Sequence, residues 1–119
     1  MTEIQNPKRY DLEERTQEFA RRVRMFVMRL PKTIATVEDG KQVIRSSGSV
    51  GANYIEANEA MSKKDFQMRI KISRKEAKES RYWLQLIDTT NNMELGKSRS
   101  SLIQEATELM NIFGAILQK

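Results

Sequence analysis

The chain has 119 residues, 39% apolar and 31% charged, with a formal net charge of +5 at pH 7. It contains no cysteine and no histidine, which excludes disulfides and catalysis by thiolate or imidazole and removes the commonest metal ligands. The length fits one domain with one core, and the scarcity of glycine and proline favours long helices over many short strands.

The first predicted helix has a seam of core positions in steps of three and four, the spacing of one helix face. The seam consists of Leu12, Thr16, Phe19, Val23, Phe26 and Leu30. Asp11 is a candidate N-cap, and Pro31 ends the helix because the residue before a proline avoids helical backbone. The polar residues 1–10 are predicted to form a flexible lead-in, which leaves residues 11–119 as the folded domain.

The second helix is predicted over residues 41–60, after a connection at 33–40 with Thr36 or Asp39 as a cap. Its seam comprises Val43, Ser47, Val50, Tyr54 and Ala57 or Asn58. Gly48 and Gly51 each cost about 1 kcal/mol relative to alanine, so the close approach of a neighbouring helix should explain them. The alternative, a phosphate-binding loop, lacks both the preceding strand and the GK[ST] motif.

The third helix is predicted over residues 62–88, with Ser62 and Asp65 in the spacing of a helix start. Its seam comprises Phe66, Ile70, Ser73, Ala77, Ser80, Leu84 and Ile87. The small residues in the middle of this seam favour a close neighbour. One flank of the helix is basic, and the other is mixed in charge and partly apolar.

The fourth helix follows a break at Asn91 and Asn92 and a turn at Gly96, with Ser98, Ser100 or Ser101 as its cap. Its seam comprises Leu102, Ala106, Leu109, Phe113 and Ile116. Four such helices with short connections predict an all-α, antiparallel up-down-up-down four-helix bundle. No signal peptide or apolar run of membrane-spanning length is seen, so we expect a cytoplasmic protein without membrane contact.

Two rows of basic residues are candidate nucleic-acid contacts, because excess positive charge favours polyanion partners. One row on the third helix contains Lys64, Lys71, Arg74, Lys78 and Arg81. The other, on the first helix, contains Arg15, Arg22 and Arg29. This second row either faces phosphate or another subunit, or is a solvated flank whose stems cover the core edge. Since no base-reading motif is present, we expect sequence-tolerant binding of RNA or DNA.

Two segments carry a resemblance that is more specific than periodicity: RSSGSVGANYIEANEA at residues 45–60 and SKKDFQMRIKISRKEAKESRYWL at residues 62–84. They resemble the four-helix-bundle family encoded in intervening sequences of bacterial 23S rRNA genes, also labelled S23 ribosomal protein. They are also similar to the accessory variability determinants of diversity-generating retroelements. The resemblance implies a bundle that assembles into a ring, typically a homopentamer, without catalytic activity. For the retroelement proteins it implies binding to nucleic acid and to a reverse transcriptase.

The mixed flank of the third helix and the end of the second are candidate subunit contacts, since tryptophan, tyrosine and arginine are enriched at interface centres. The candidates are Asn53, Glu56, Arg69, Ile72, Glu79, Tyr82 and Trp83. Alternatively, Trp83 closes the core edge and Glu79 pairs with Lys75. A metal site of Glu56, Glu59 and Asp65 is disfavoured, because bundle metal sites use Glu-x-x-His pairs. No cofactor is expected.

The sequence therefore predicts a non-enzymatic, self-assembling bundle that binds nucleic acid through basic flanks. A role beside a reverse transcriptase would be one setting for it. The alternative is a protein-interaction adaptor, or an intervening-sequence protein of unestablished role that does not bind nucleic acid directly. An enzyme is disfavoured because no nucleophile and base are arranged together.

Overall fold

The computed structural model describes residues 7–119, with side chains from residue 12 onward, as four α-helices. Helix α1 spans Pro7–Met28, α2 spans Ile34–Asn58, α3 spans Lys63–Leu86 and α4 spans Met93–Leu117. Each helix packs against its neighbours in sequence, and α1 also packs against α4. Over residues 7–119 the backbones of α1 and α3, and those of α2 and α4, do not come close, so the helices stand in cyclic order, and only side chains such as Tyr54 and Phe113 meet across the core. The predicted all-α four-helix bundle is confirmed.

The predicted starts of the first two helices are wrong. Helix α1 begins at Pro7 rather than after Asp11, because proline suits the first helical turn, where its missing N–H would have no partner. Helix α2 begins at Ile34, seven residues before the predicted start. The Thr33 hydroxyl accepts from the Thr36 N–H at 3.1 Å and forms a capping box with it. Residues 1–6 of the predicted lead-in lie outside the described residues.

The predicted start of the fourth helix is also too late. Asn92 caps α4, and its side-chain oxygen accepts from the Leu95 N–H at 3.0 Å. Gly96 therefore lies in the first turn of the helix instead of a loop. Helix α3 begins as predicted, with the Ser62 hydroxyl accepting from the Asp65 N–H at 3.1 Å.

The four predicted seams meet in the core of the bundle. On α1 all six seam positions are buried, from Leu12 to Leu30. On α4 the side chains of Leu102, Leu109 and Phe113 are inaccessible or nearly so. Burial of these side chains supplies the main driving force for folding, at roughly 25 cal/mol per Å² of apolar surface.

Helices α2 and α3 share the most extensive contact in the bundle, and serine side chains line it. Ser46 and Ser80 lie 2.8 Å apart between their hydroxyl oxygens, and Ser73 donates to the Val50 carbonyl at 2.9 Å. Each hydroxyl also has a carbonyl acceptor on its own helix, Glu76 at 2.9 Å for Ser80 and Val43 at 3.4 Å for Ser46. These small, satisfied groups let the two helices approach closely.

Gly51 confirms the predicted close approach of a neighbouring helix, and that neighbour is α1. A Cβ atom at Gly51 would lie 2.8 Å from the Thr16 Oγ1 atom. Gly48 is less constrained, because a Cβ there would meet only the Arg24 guanidinium at 3.5 Å. No helix within residues 7–119 is long and apolar enough to cross a membrane.

Candidate nucleic-acid and assembly surfaces

The groove between α1 and α4, here called the α1–α4 seam, is closed by ion pairs. Arg15 donates to both carboxylate oxygens of Glu105, at 2.7 and 3.0 Å, and to Glu108 at 2.5 Å. The side chains of Arg15 and Glu105 are only 28% and 16% exposed. Such a two-pronged contact is stronger and more directional than an ordinary surface ion pair.

The other two arginines of the predicted row also contact α4. Arg22 donates to the Ser101 hydroxyl at 2.7 Å, and Arg29 pairs with Glu94 at 3.3 Å. All three members of the row therefore meet partners on α4 rather than standing free. The structure places them together along the α1–α4 seam, where Arg15 and Arg29 meet carboxylates and Arg22 meets a hydroxyl.

The pKa values follow from these contacts. The hydrogen bond that Arg15 donates to Glu105 raises the pKa of Arg15 above its usual range, so the guanidinium stays charged. Hydrogen bonds from Gln104 and Arg15 lower the pKa of the Glu108 carboxyl. Arg15 and Glu108 therefore both carry their charge at neutral pH.

The groove between α3 and α4, here called the α3–α4 face, has the opposite character. Lys64, Lys71, Arg74 and Lys78 are exposed along α3. None of these four side chains forms an ion pair with an acidic residue among residues 12–119. The fifth predicted member, Arg81, is half-buried and donates to the Thr107 hydroxyl at 3.2 Å.

Helix α4 places none of its acidic residues on this face. By helical spacing its side of the groove consists of Ile103, Thr107, Met110 and Gly114. The acidic residues of α4 are Glu94, Glu105 and Glu108, and all three pair with arginines of α1. The Arg74 guanidinium lies over the backbone of α4, 3.8 Å from the place of a Cβ on Gly114. The face is thus a continuous basic strip on a rigid support.

The predicted subunit-contact residues other than Tyr82 lie along the groove between α2 and α3, here called the α2–α3 face. Arg69 donates to the Asn53 side-chain oxygen at 2.9 Å, and Arg45 pairs with Glu79 at 3.5 Å. Glu56 is exposed and Ile72 is half-buried. Positive and negative charges alternate here, so this face carries little net charge.

Two adjacent aromatic side chains lie near the C-terminal end of α3. Tyr82 is 54% exposed, while Trp83 is half-buried and packs against the core. The two rings meet edge to face with centroids 5.1 Å apart. The buried Trp83 Nε1 atom has no hydrogen-bond partner. Trp83 closes the core edge, as one of the two sequence interpretations held, and Tyr82 projects beyond it.

Glu76 is the residue of this face that the sequence reasoning missed. Its side chain is only 8% exposed, and its Oε1 atom is buried without a partner. Burial, together with repulsion from Glu79, raises the pKa of its carboxyl, while Arg45 and Lys75 act in the opposite direction. The signal was present in the spacing, because Glu76 lies three residues after Ser73 and four before Ser80, both core positions.

The side chains of residues 12–119 bring no three acidic residues together as a metal site. Glu56, Glu59 and Asp65 of the disfavoured metal hypothesis are exposed. The chemistry that these surfaces offer is recognition by charge and shape.

Comparisons with known proteins agree with the fold and with the first resemblance. A family model described as 23S rRNA-intervening sequence protein matches residues 8–115. A solved structure from the S23 ribosomal protein family, a Bacteroides thetaiotaomicron protein of unknown function, is 29% identical. That match covers 90% of this chain and 98% of the other, with a TM-score of 0.71. The search of curated proteins gave no match. The retroelement resemblance stays a prediction, and the chain belongs to the 23S rRNA-intervening sequence protein family.

Proposed function

We propose that this protein is a non-enzymatic, self-assembling bundle that binds RNA or DNA through its α3–α4 face. The observation that supports this proposal is the acid-free strip formed by Lys71, Arg74 and Lys78. These cations are exposed and have no carboxylate partner among the described side chains. A polyanion would supply the missing negative charge and release its condensed counterions.

The geometry of the strip suits a phosphate backbone. From Lys64 to Arg81 it extends roughly 25 Å along one helix, at about 1.5 Å per residue. A straight, rigid row of this length can follow several consecutive phosphates. Arginine and lysine differ usefully here, since Arg74 can hold a phosphate with two donors while the lysines act as point charges.

The face has no means of reading bases. Its α4 side offers aliphatic and hydroxyl side chains, and the exposed aromatic Tyr82 is packed edge to face against Trp83. Single-stranded ligands are usually held by aromatic stacking as well as by charge. We therefore propose contacts to phosphates, with little dependence on sequence.

Self-assembly would strengthen this binding. The charge-balanced α2–α3 face is the surface that we assign to contact with another copy. A ring of five copies, as the family resemblance implies, would repeat the basic strip five times. Multivalent contact raises the apparent affinity without any new contact per subunit.

The test measures binding of a labelled 20-base-pair RNA duplex and a DNA duplex by fluorescence anisotropy, at several salt concentrations. We expect log affinity to fall linearly with log salt, with a slope of about −3 if three phosphates are contacted per site. The variant Lys71→Glu, Arg74→Glu, Lys78→Glu should lose on the order of a hundredfold in affinity.

A matched control carries the same charge change at the ends of the bundle: Lys32→Glu, Lys97→Glu, Lys119→Glu, all at exposed positions. It should lose far less affinity than the face variant. Equal losses of affinity in the two variants would mean that binding depends on the net charge of the protein and not on the position of the charges, which would contradict the proposed site. Absence of binding by the unaltered protein at low salt would overturn the proposal and favour the adaptor alternative.

A role beside a reverse transcriptase is a further part of this proposal, supported only by the resemblance of residues 45–84 to retroelement accessory proteins. The basic face would then meet the nucleic acid that the enzyme copies. A gene for a reverse transcriptase next to the gene for this chain would support it, whereas a position inside a 23S rRNA gene would oppose it.

A further inference from the structure

The α1–α4 seam has a gap in its pattern of charge. Its arginines stand seven residues apart on α1, and the residues that they meet on α4 are Glu108, Ser101 and Glu94. The outer two arginines therefore meet carboxylates, whereas Arg22 in the middle meets only the Ser101 hydroxyl, at 2.7 Å. A hydroxyl accepts this hydrogen bond but carries no charge, so Arg22 has no counter-charge among the side chains of residues 12–119.

A cavity opens at this gap, here called the Arg22 pocket. Its volume is about 340 Å³, and Arg29 and Lys97 line it together with Arg22. Among the described residues, none of those that line it is acidic. Glu94 pairs with Arg29 at 3.3 Å from outside the lining, through a side chain that is 85% exposed. Three cations against this one carboxylate leave a net charge of about +2 for a ligand to balance.

The charge and the donors of the Arg22 pocket fit a phosphate monoester. Such a group carries a charge of about −2 at neutral pH and several strong acceptor oxygens. Arg22 can hold two of these oxygens with its forked N–H donors, and Lys97, one helical turn before Ser101, can act as a compact point charge. The hydroxyls of Ser98 and Ser101, which also line the pocket, add neutral donors. A carboxylate ligand, with a single charge, would leave part of the cationic charge unbalanced.

The apolar part of the lining calls for a body attached to the phosphate. Met25, Phe26 and Leu102 line the pocket beside the cations. Phe26 and Leu102 are each only 2% exposed, whereas Met25 is 59% exposed and lies at the rim. The methionine side chain is flexible and polarisable, which suits contact with an aromatic ring. Since ligand pockets usually measure about 300–1,000 Å³, this volume suits a small molecule.

We propose that the Arg22 pocket binds an organic phosphate monoester, with the phosphoryl group held by Arg22, Lys97 and the serine hydroxyls and the apolar body against Met25. The dianion takes the place that a carboxylate takes at the two neighbouring steps of the seam. A ligand here would bridge α1 and α4, which share the least extensive contact of the four neighbouring helix pairs. The site is separate from the α3–α4 face, which lies on the other side of α4.

The test titrates the protein with phenyl phosphate and follows the NMR signals of isotope-labelled methionine methyl groups. The Met25 signal should shift with a dissociation constant in the millimolar range, as for other ligands of this size. The signals of Met61 and Met68, at the opposite end of the bundle, should stay in place. Inorganic phosphate should bind about tenfold more weakly, since it leaves the apolar lining uncovered. Equal affinity for the two probes, or no shift of Met25, would overturn the proposal.

Ser101→Glu tests the gap directly, because it supplies the missing carboxylate opposite Arg22. It should lower the affinity for phenyl phosphate by about tenfold or more, while the thermal midpoint stays the same or rises. The matched control, Ser100→Glu, makes the same charge change at an exposed position one residue away, and should lower affinity by less than about threefold. Arg22→Gln removes the central donor and should also cost about tenfold. Similar losses for the two glutamate variants, or unchanged binding by Arg22→Gln, would contradict the site.

Two further arms separate this site from the proposed nucleic-acid face and identify the source of the ester. The Lys71→Glu, Arg74→Glu, Lys78→Glu variant should bind phenyl phosphate within about threefold of the natural protein, and loss of that binding would overturn the proposal. A single-stranded hexanucleotide is then tested with a 5′-phosphate and with a 5′-hydroxyl. A Met25 shift that requires the 5′-phosphate supports the end of a nucleic-acid strand as the source, and a shift with phenyl phosphate alone supports a small molecule.

Discussion

The two sides of helix α4 each face a row of basic residues but have opposite electrostatic settings. On the α1–α4 seam, Arg15 and Arg29 pair with carboxylates, and Arg22 with a serine. On the α3–α4 face, Lys71 and Lys78 have no acid opposite them among the described side chains. A row of basic residues therefore does not by itself indicate a ligand. The residues on the facing helix decide whether the row stabilises the fold or remains available.

We expect the largest effects on stability and on nucleic-acid affinity when the basic residues of one row at a time are replaced by glutamine. The first row is the arginine row of α1. Arg15→Gln, Arg22→Gln, Arg29→Gln should lower the free energy of unfolding by about 2 kcal/mol, mostly because half-buried Glu105 loses its partner. Nucleic-acid affinity should change by less than about threefold, since two of these three charges are already paired with carboxylates. Thermal unfolding and anisotropy measured on the same samples check both quantities.

The corresponding change on the other side of α4 should give the reverse result. Lys71→Gln, Arg74→Gln, Lys78→Gln should leave the free energy of unfolding within about 0.5 kcal/mol, as for surface changes in general, and should lower affinity tenfold or more. Two variants that affect stability and affinity equally would erase the distinction between the two regions.

A smaller effect is expected from removing the acids of the α1–α4 seam. Glu105→Gln with Glu108→Gln leaves Arg15 without a counter-charge and extends the positive potential around α4. Nucleic-acid affinity should rise by about threefold at low salt and by less at high salt, because screening weakens long-range charge effects. An affinity that falls or stays constant would mean that the α1–α4 seam lies too far from the binding site to influence it.

Acid should loosen the α1–α4 seam before it affects the α3–α4 face. The pKa of Glu108 is lowered in the folded state, so its contribution to stability is present above the unfolded value and is lost as pH falls through the folded value. Between about pH 5 and pH 3 the natural protein should therefore lose more stability than Glu108→Gln. Urea unfolding at a series of pH values measures this difference, and parallel curves would contradict it.

The smallest effect concerns the glycine beneath Arg74. A Cβ at Gly114 would meet Arg74 only at an ordinary contact distance of 3.8 Å, so Gly114→Ala should stabilise the helix by about 0.5–1 kcal/mol. Gly51→Ala is the contrasting variant, because its Cβ would lie 2.8 Å from Thr16, and overpacking should cost about 1–3 kcal/mol. A lower thermal midpoint for Gly114→Ala would show that the α3–α4 face is not as open as described, and a higher one for Gly51→Ala would contradict the close approach of α1.

The core and the topology followed from the sequence, but the helix starts did not. Spacings of three and four residues identified the seams, and burial of Val23, Val50 and Leu109 confirmed them. The caps at Thr33 and Asn92 were missed because each precedes a stretch with no strong apolar periodicity, where propensity and a single side-chain hydrogen bond decide the boundary.

The pairing of the arginine row needed knowledge of which helices are neighbours. A signal was nevertheless present in the sequence. The residues that meet are spaced seven apart on both helices, with numbers that rise along α1 and fall along α4. Arg15, Arg22 and Arg29 on α1 meet Glu108, Ser101 and Glu94 on α4. An antiparallel comparison of two such rows would have predicted the contacts. The orphaned Glu76 oxygen, by contrast, depends on side-chain conformation, which no spacing reveals.

The serine-lined contact between α2 and α3 has a consequence for how the chain folds. These helices are joined by only four residues, 59–62, so little loop entropy opposes their meeting. Their contact is the most extensive in the bundle and is local in sequence, which favours rapid folding. The α2–α3 hairpin is therefore the part of the molecule that should be structured in the folding transition state, with α1 and α4 joining it afterwards.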